Sequence, residues 1–191
     1  MATAAPNTSQ KILDIAERLV QTRGYNGFSY ADIADALHVT KASLHYHFPA
    51  KADLGKRLIE RYERNFLAEL GRIDTAGKDA RDKLRRYAAI YEGVLSADRM
   101  CLCGMLAAEY GTLPKPMRED MRHFFDENER WLVAVLQEGK RSKLLNFPGS
   151  AADAAQTLIG ALEGAMMIAR SYGDVSRFKA VSERVLDSLS A

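Results

Sequence analysis

The chain has 191 residues, 47% of them hydrophobic, which suits a globular protein with a sizeable core. Its 27 basic and 25 acidic residues leave a formal net charge of +2, so the average charge neither indicates nor excludes a nucleic-acid partner. The two cysteines, Cys101 and Cys103, exclude a disulfide framework and favour a reducing cytoplasm. The start of the chain lacks the pattern of a signal peptide, and no apolar run approaches the roughly 20 residues that span a bilayer, so we expect a cytoplasmic protein without a membrane segment.

After a small, polar start without regular structure, the first 50 residues predict three short helices. The first carries apolar residues at helical spacing, and Gly24 ends it because glycine enters the left-handed conformation without penalty. Ser29, with Asp32 three residues later, marks the start of the second helix. Thr40 caps the third helix and Pro49 ends it. The residues expected to share one small core are Leu19, Phe28, Ile33, Leu37, Val39, Leu44 and Phe48.

The rest of the chain predicts six further helices, most of them long. Their expected ranges are 51–71, 77–96, the stretch CLCGMLAAEYG, Pro114 to Gly139 or a turn later, 151–171, and from Asp174 onward. The first of them has an inner stripe of Leu54, Leu58, Tyr62 and Leu67. No segment alternates with a period of two, so the predicted fold is all-α. We expect a three-helix head over residues 1–50 and a six-helix domain over residues 51–191.

The stretch VTKASLHYHF, residues 39–48, holds two histidines, for which a metal site is one interpretation. On a helix, positions 45 and 47 lie about 200° apart, so His45 and His47 point in nearly opposite directions. A helical metal pair needs a spacing of three or four residues, and no acidic cluster lies nearby in the sequence. The sequence therefore predicts no metal and no cofactor.

The same stretch fits the second half of a helix-turn-helix, with helices over 29–37 and 40–47 joined by a tight turn. In such a unit the second helix enters the major groove with its N-terminal residues facing the bases. The outward face would present hydroxyl, amine and imidazole groups, which suit phosphate oxygens and base edges. A structural role remains an alternative for Thr40 as a cap, for His47 as a packed histidine and for Lys51 as a solvated charge.

Local charge supports this interpretation only weakly. Residues 1–60 contain seven Lys or Arg and six Asp or Glu, which leaves one positive charge. Binding to DNA would then be modest for a single chain, and a dimer would be needed to read two half-sites roughly one helical turn apart.

Residues 12–54, ILDIAERLVQTRGYNGFSYADIADALHVTKASLHYHFPAKADL, resemble the DNA-binding domain of TetR-family transcriptional repressors. The motifs that carry the resemblance are A-x-x-L over 16–19, G-[YF]-x-G-x-[ST] over 24–29, D-I-A over 32–34 and V-T-K-x-S-L-x-x-H-F-x-x-K-x-x-L over 39–54. The resemblance implies that Lys51 contacts a phosphate. His45 stands where the family usually has tyrosine, so either His45 or Tyr46 takes the corresponding phosphate contact. The implied DNA-binding residues are Thr40, Lys41, Ala42, Ser43, His45, Tyr46, His47 and Lys51.

The resemblance also implies a homodimer formed through the last two helices and an effector cavity between the middle ones. The expected interface comprises Ala155, Leu158, Ile159, Gly160, Leu162, Gly164, Met167, Val181 and Val185; the alternative is that these helices complete the monomer core. The candidate cavity residues are Phe66, Tyr87, Tyr91, Cys101, Cys103, Met105, Tyr110, Phe125, Trp131 and Met166.

CLCGM suggests a sensor, because Arg99 precedes it and a positive neighbour favours the reactive thiolate. The alternative is that Cys101 and Cys103 are two small buried hydrophobes. The predicted function is a ligand-responsive DNA-binding regulator, a repressor released from operator DNA by a small apolar, aromatic or electrophilic effector. An enzyme with Cys103 as nucleophile and His123 as base is the alternative from another class, but no spacing supports it. A helical adaptor that binds only proteins is the third.

Overall fold

The computed structural model describes residues 8–190, and within that range the chain is helical, with one isolated bridge between Leu145 and Ser190 and no named strand. The helices are α1 (Thr8–Arg23), α2 (Tyr30–Leu37), α3 (Lys41–His47), α4 (Lys51–Ala76), α5 (Ala80–Ser96), α6 (Leu102–Ala108), α7 (Lys115–Arg141), α8 (Ala151–Tyr172) and α9 (Val175–Ser188), with a 3₁₀ turn at Tyr110–Thr112. The all-α prediction is confirmed. The prediction for the polar start concerns residues 1–7, which lie outside the described residues. None of the described helices is long and apolar enough to cross a bilayer.

Local sequence signals explain where several helices begin and end. Ser29 caps α2 in a full capping box with Asp32, and Ser150 caps α8 with Asp153 in the same way. Gly24, at φ +83°, adopts the left-handed conformation that follows α1. These interactions satisfy backbone groups that a helix end leaves without partners.

The chain divides into two compact units. The first contains the described residues up to Glu63 together with Leu102–Arg122, and the second contains Arg64–Cys101 together with the chain from His123 onward. Both α4 and α7 therefore contribute to each unit. The domain boundary predicted at residue 50 stays a prediction, since the compact units divide inside α4 and α7.

In the first unit, α1 packs against α2 and α6, and α2 packs against α3. Four of the seven residues predicted to share a core are buried, namely Phe28, Ile33, Leu44 and Phe48. Leu19, Leu37 and Val39 are only half-buried. Arg61 links α4 to α1, because its guanidinium donates hydrogen bonds to the Asp14 and Glu17 carboxylates, each at 2.6 Å.

In the second unit, α5, α8 and α9 pack against one another. There α4 buries Phe66 and Leu70, whereas Leu67 is 38% exposed, so the placement of Leu67 on the inner stripe is wrong. The reason is helical geometry: a step of four residues from Tyr62 to Phe66 stays on one face, whereas a step of five turns about 140° away.

Candidate nucleic-acid interface and effector region

The turn between α2 and α3 is held by backbone geometry and by caps. His38 adopts the left-handed conformation at φ 55°, and the N–H of Val39 donates to the Ala34 carbonyl at 3.0 Å. Thr40 then caps α3, its hydroxyl accepting the Ser43 N–H at 3.3 Å. These contacts fix the direction in which α3 leaves the turn.

One face of α3 is buried and the other is open to solvent. Leu44 is fully buried and Phe48, which follows the helix, is 5% exposed, so both anchor α3 to its own unit. The opposite face carries Thr40, Lys41, Ala42, Ser43, His45 and Tyr46, of which Ser43 is half-buried and the others are exposed. The polar, small-residue face predicted from the sequence is therefore on the surface.

The choice between His45 and Tyr46 now has a geometric basis. Tyr46 is 85% exposed, and its ring lies 5.2 Å from the ring of the half-buried His47. His45 lies 4.8 Å from the Tyr30 ring, and its Nδ1 is 3.1 Å from the Pro49 carbonyl oxygen. The His45 ring is thus held against its own unit, while Tyr46 projects away from it.

Lys51 points into the protein. Its ammonium donates to the Tyr25 carbonyl at 2.6 Å and to the Phe28 carbonyl, and it lies 4.7 Å and 4.1 Å from the centroids of their rings. Burial lowers the pKa of Lys51, against the opposing effect of Glu109 and Asp32. In this arrangement the ammonium of the half-buried Lys51 binds the loop between α1 and α2.

Glu109, just after α6, holds the same loop from the other side. Its carboxylate accepts the backbone N–H of Tyr25 at 2.5 Å and that of Asn26 at 3.1 Å. The Asn26 side chain also donates to the Thr112 hydroxyl at 2.7 Å. Gly24 has φ +83°, a conformation that favours glycine, and a Cβ there would also lie 2.9 Å from a Glu109 oxygen. Glu109 therefore links α6 to the loop that precedes the helix-turn-helix.

Sequence analysis missed Glu109 and Arg61 as positioning residues. Arg61 had a usable signal, because a charged residue three positions after Leu58 falls on an otherwise apolar stripe and indicates a buried ion pair. Glu109 had none, since its partner Tyr25 lies 84 residues earlier in the chain.

Comparison with known proteins identifies the chain's relatives. The family model described as "Bacterial regulatory proteins, tetR family" matches residues 12–58, and the one described as "Tetracyclin repressor-like, C-terminal domain" matches residues 80–185. The chain belongs to the TetR family. It is therefore a DNA-binding transcriptional regulator and not an enzyme, as predicted.

Two solved structures of TetR-family regulators share this fold over nearly the whole chain. A TetR-family transcriptional regulator from Agrobacterium tumefaciens is 33% identical with a TM-score of 0.93, covering 96% of this chain and 97% of that one. A TetR transcriptional regulator from Legionella pneumophila is 32% identical with a TM-score of 0.90, covering 98% of this chain and 100% of that one.

A relative in sequence is nucleoid occlusion factor SlmA from Vibrio atlanticus, which is 26% identical over 166 residues, covering 86% of this chain and 84% of that protein.

The second unit of this TetR-family chain contains a cluster of aromatic rings. Phe66 lies 5.1 Å from Phe124 and 6.3 Å from both Tyr87 and Tyr91, and Tyr87 stacks on Trp131 at 5.6 Å between ring centroids.

Polar atoms inside this cluster are matched to one another. The Tyr87 hydroxyl donates to the Asn128 amide oxygen at 2.8 Å, and the Asn128 amide nitrogen donates to the Tyr91 hydroxyl at 3.2 Å. The two hydroxyls are 2.9 Å apart, which closes the set. Burial raises the pKa of both tyrosines well above the ordinary value, so both stay neutral.

The ten candidate cavity residues are distributed over both units. In the second unit Phe66, Tyr87, Tyr91, Cys101 and Met166 are buried, while Phe125 and Trp131 are half-buried. In the first unit Cys103 is buried, Met105 is half-buried, and Tyr110 is 43% exposed with the Arg118 guanidinium 4.9 Å from its ring centroid. That these ten line one cavity stays a prediction.

Both cysteines are buried free thiols. Cys101 precedes α6, which begins at Leu102, and its thiol donates a hydrogen bond to the Glu163 carboxylate on α8. A carboxylate beside a thiol disfavours the thiolate, which opposes the effect expected of Arg99. His123, the alternative catalytic base, is an exposed residue 3.6 Å from Glu127, and Cys103 is fully buried.

The outer faces of α8 and α9 expose apolar side chains. Of the seven large hydrophobic residues that are exposed in the described chain, four lie here: Met167, Ile168, Tyr172 and Val181. Gly160 and Gly164 line a groove of about 450 Å³ with Ile168 and Val181, and a Cβ at either glycine would meet no described atom within 4 Å.

Three of the predicted interface residues are covered by their own chain. Ala155, Leu158 and Leu162 have no exposed surface, which favours the alternative that they complete the monomer core; their assignment to an interface stays a prediction. Gly160, Met167 and Val181 are exposed, and Ile159, Gly164 and Val185 are half-buried. Ile168 and Tyr172 were missed, although they continue the face of Gly160 and Gly164.

Proposed function

We propose that this chain is a repressor that binds operator DNA as a homodimer through α3 and leaves it when a small effector binds. The observation that carries the proposal is the exposed polar face of α3, set between the Thr40 cap and the buried Leu44. Lys41 and Ser43 would face the bases, Ala42 would allow close approach, and Tyr46 and Thr40 would contact phosphates. The placement of Lys51 supports a positioning role for it instead of a phosphate contact.

The proposed dimer forms through the exposed apolar face of α8 and α9. The family binds DNA as dimers, and the face contains two glycines with open space above them, which would let two helices approach closely. Two recognition helices would then reach half-sites about one helical turn apart. A cytoplasmic location, which access to operator DNA requires, stays a prediction.

The effector is proposed to be small, with an apolar, aromatic or electrophilic body, and to act in the helical part of the chain after the DNA-binding head. It shifts the chain out of its DNA-binding conformation only by binding the other conformation more tightly. Electrophile sensing through Cys101 or Cys103 is tested by replacing both with serine. We then expect release by quinones, aldehydes and peroxide to be lost; unchanged release would exclude the thiols.

The test of DNA binding is a gel-shift titration with DNA from upstream of the chain's own gene, followed by footprinting. We expect a salt-sensitive complex that protects two half-sites. A protein-only adaptor predicts no salt-dependent binding. In vivo, deletion of the gene should raise transcription from the bound promoter if the chain represses, and lower it if the chain activates.

A further inference from the structure

Glu163 places a carboxyl group inside the second unit, and the proposed function does not yet use it. This α8 residue is half-buried, and its Oε1 atom is buried and has no hydrogen-bond partner within the described chain. The carboxylate accepts a hydrogen bond from the Cys101 thiol. It therefore has one weak donor and one oxygen without a donor.

No positive group compensates this carboxylate. Burial raises the pKa of Glu163 to about 7, the Cys101 hydrogen bond lowers it only in part, and no basic side chain of the described residues contributes. The nearby hydroxyls of Tyr87 and Tyr91 are engaged with each other and with Asn128. A buried carboxylate in this state is costly, because neither water nor a counter-charge stabilises it.

Aromatic residues of the second unit lie near Glu163. Glu163 lies close enough to Tyr87 and Tyr91 to raise the pKa of both hydroxyls. Tyr87 stacks on the half-buried Trp131, and Phe66 packs edge-on against both tyrosines. Aromatic faces attract cations, and the attraction grows when the cation is removed from water.

We propose that Glu163 anchors a cationic effector, an amine or quaternary ammonium group on a small apolar or aromatic body. This inference rests on the proposed function, because it names the chemical class of the effector. The positive group would pair with the carboxylate and lie against the tyrosine rings. A neutral ligand would leave the carboxylate unpaired, and an anionic ligand would be repelled.

Binding of such a cation has a defined pH dependence. The titratable groups that face the site are Glu163, Cys101, Tyr87 and Tyr91. Both tyrosines stay neutral near pH 7, because burial raises the pKa of each hydroxyl. Because the cation pairs with ionised Glu163, its affinity should fall about tenfold per pH unit below the pKa of that carboxyl and level off above it.

Isothermal titration calorimetry on the full chain tests the proposal with three aromatic probes: benzyltrimethylammonium, benzyl alcohol and phenylacetate. We expect the cation to bind most tightly. Glu163→Gln should weaken its binding at least about tenfold and remove the pH dependence. Glu163→Asp keeps the charge and should retain part of the affinity, and the exposed Glu119→Gln is the matched control.

Two results would overturn the proposal: equal affinity of the cation for the wild type and Glu163→Gln, or no binding of the cation to the wild type. Circular dichroism checks that each variant is folded. If Glu163→Gln does not fold, the comparison of Glu163→Asp with the wild type tests the proposal instead. Gel shifts without effector separate the two proposals. If the wild type does not bind operator DNA, the proposed function is contradicted. The calorimetric comparison of the wild type with Glu163→Gln tests only the cation site.

Discussion

The two compact units differ in the partners of their charged groups and in the exposure of their apolar side chains. In the first unit, Arg61 pairs with Asp14 and Glu17, and Glu109 accepts two backbone N–H groups, although Arg61 Nε and one oxygen of Asp120 are buried without a hydrogen-bond partner. In the second unit, Glu163 holds an unpartnered oxygen, while Ile168 and its neighbours expose apolar surface.

This difference indicates what each unit binds. The first unit presents a polar face on α3, which suits a polyanion that stays hydrated at its edges. The second unit exposes an apolar face on α8 and α9, where we propose that a second copy of the chain binds, and it buries the Glu163 carboxyl, which we propose to pair with a positive group.

The largest expected effect comes from breaking the dimer face. Ile168→Asp places a charge in the apolar face of α8, where desolvation opposes assembly, so we expect a monomer and a loss of operator affinity of about a thousandfold. Light scattering and fluorescence anisotropy measure the two effects. Ala134→Asp, at an exposed position of α7, is the control. A dimeric Ile168→Asp variant would place the interface elsewhere.

The second prediction concerns stability and pH in the second unit. The pKa of Glu163 is raised from its ordinary value of 4.5 to about 7, so the folded state binds a proton that the unfolded state releases between these pH values. Stability contributed by this group is therefore present below about pH 4.5 and lost as the pH rises to about 7. Glu163→Gln should be more stable than the wild type by about 3 kcal/mol at pH 8 and by little at pH 4.5. Urea unfolding at the two pH values measures this, and a difference that does not change with pH would contradict it.

The third prediction tests the contact between the Glu109 carboxylate and the loop that joins α1 to α2. Glu109→Ala leaves the Tyr25 and Asn26 N–H groups without their acceptor, which should cost about 2 kcal/mol of stability and weaken operator binding. Glu109→Gln retains one acceptor, so its stability should lie between those of the wild type and Glu109→Ala. Thermal unfolding measures the loss, with Glu119→Ala as control. If Glu109→Ala melts with the wild type, the carboxylate does not hold this loop.

The fourth prediction separates two lysines that sequence analysis assigned to DNA. Lys41→Met should reduce the slope of log affinity against log salt by about one, as expected for one lost phosphate or groove contact. Lys51→Met should lower the melting temperature and leave the slope unchanged, because its ammonium is bound to two carbonyl groups. The reverse pattern would restore Lys51 as the phosphate contact.

The smallest expected effect distinguishes Tyr46 from His45. Tyr46→Phe removes one hydroxyl from the exposed face and should weaken operator binding about fivefold, which is about 1 kcal/mol, the usual net contribution of one hydrogen bond. His45→Phe keeps a ring against Tyr30 and should change affinity less. Anisotropy titrations at one salt concentration compare them. A larger effect at His45 would transfer the phosphate contact to that residue.

Sequence analysis succeeded where local chemistry decides the structure. The capping box at Ser29, the Thr40 cap and the glycine after α1 are set by residues within a few positions of each other, and all were predicted. The polar face of α3 followed from the same local pattern.

Sequence analysis failed where residues that are distant in sequence contact each other. Nothing in AAEYG indicates that Glu109 contacts Tyr25, and a lysine that resembles a phosphate contact gives no sign that nearby carbonyls already bind it. Helical spacing likewise cannot tell which apolar face of α8 packs within its own chain. That is why Leu158 was assigned to the interface and Ile168 was not.

The most direct test of the central claim, that α3 presented twice by a dimer binds operator DNA, is anisotropy of the full chain on its upstream DNA across a salt series. A scrambled duplex and the Lys41→Met variant are measured in parallel. We predict specific binding to the upstream DNA that weakens with salt, and a shallower slope for the variant. Equal affinity for both duplexes, or a slope that Lys41→Met leaves unchanged, would contradict it.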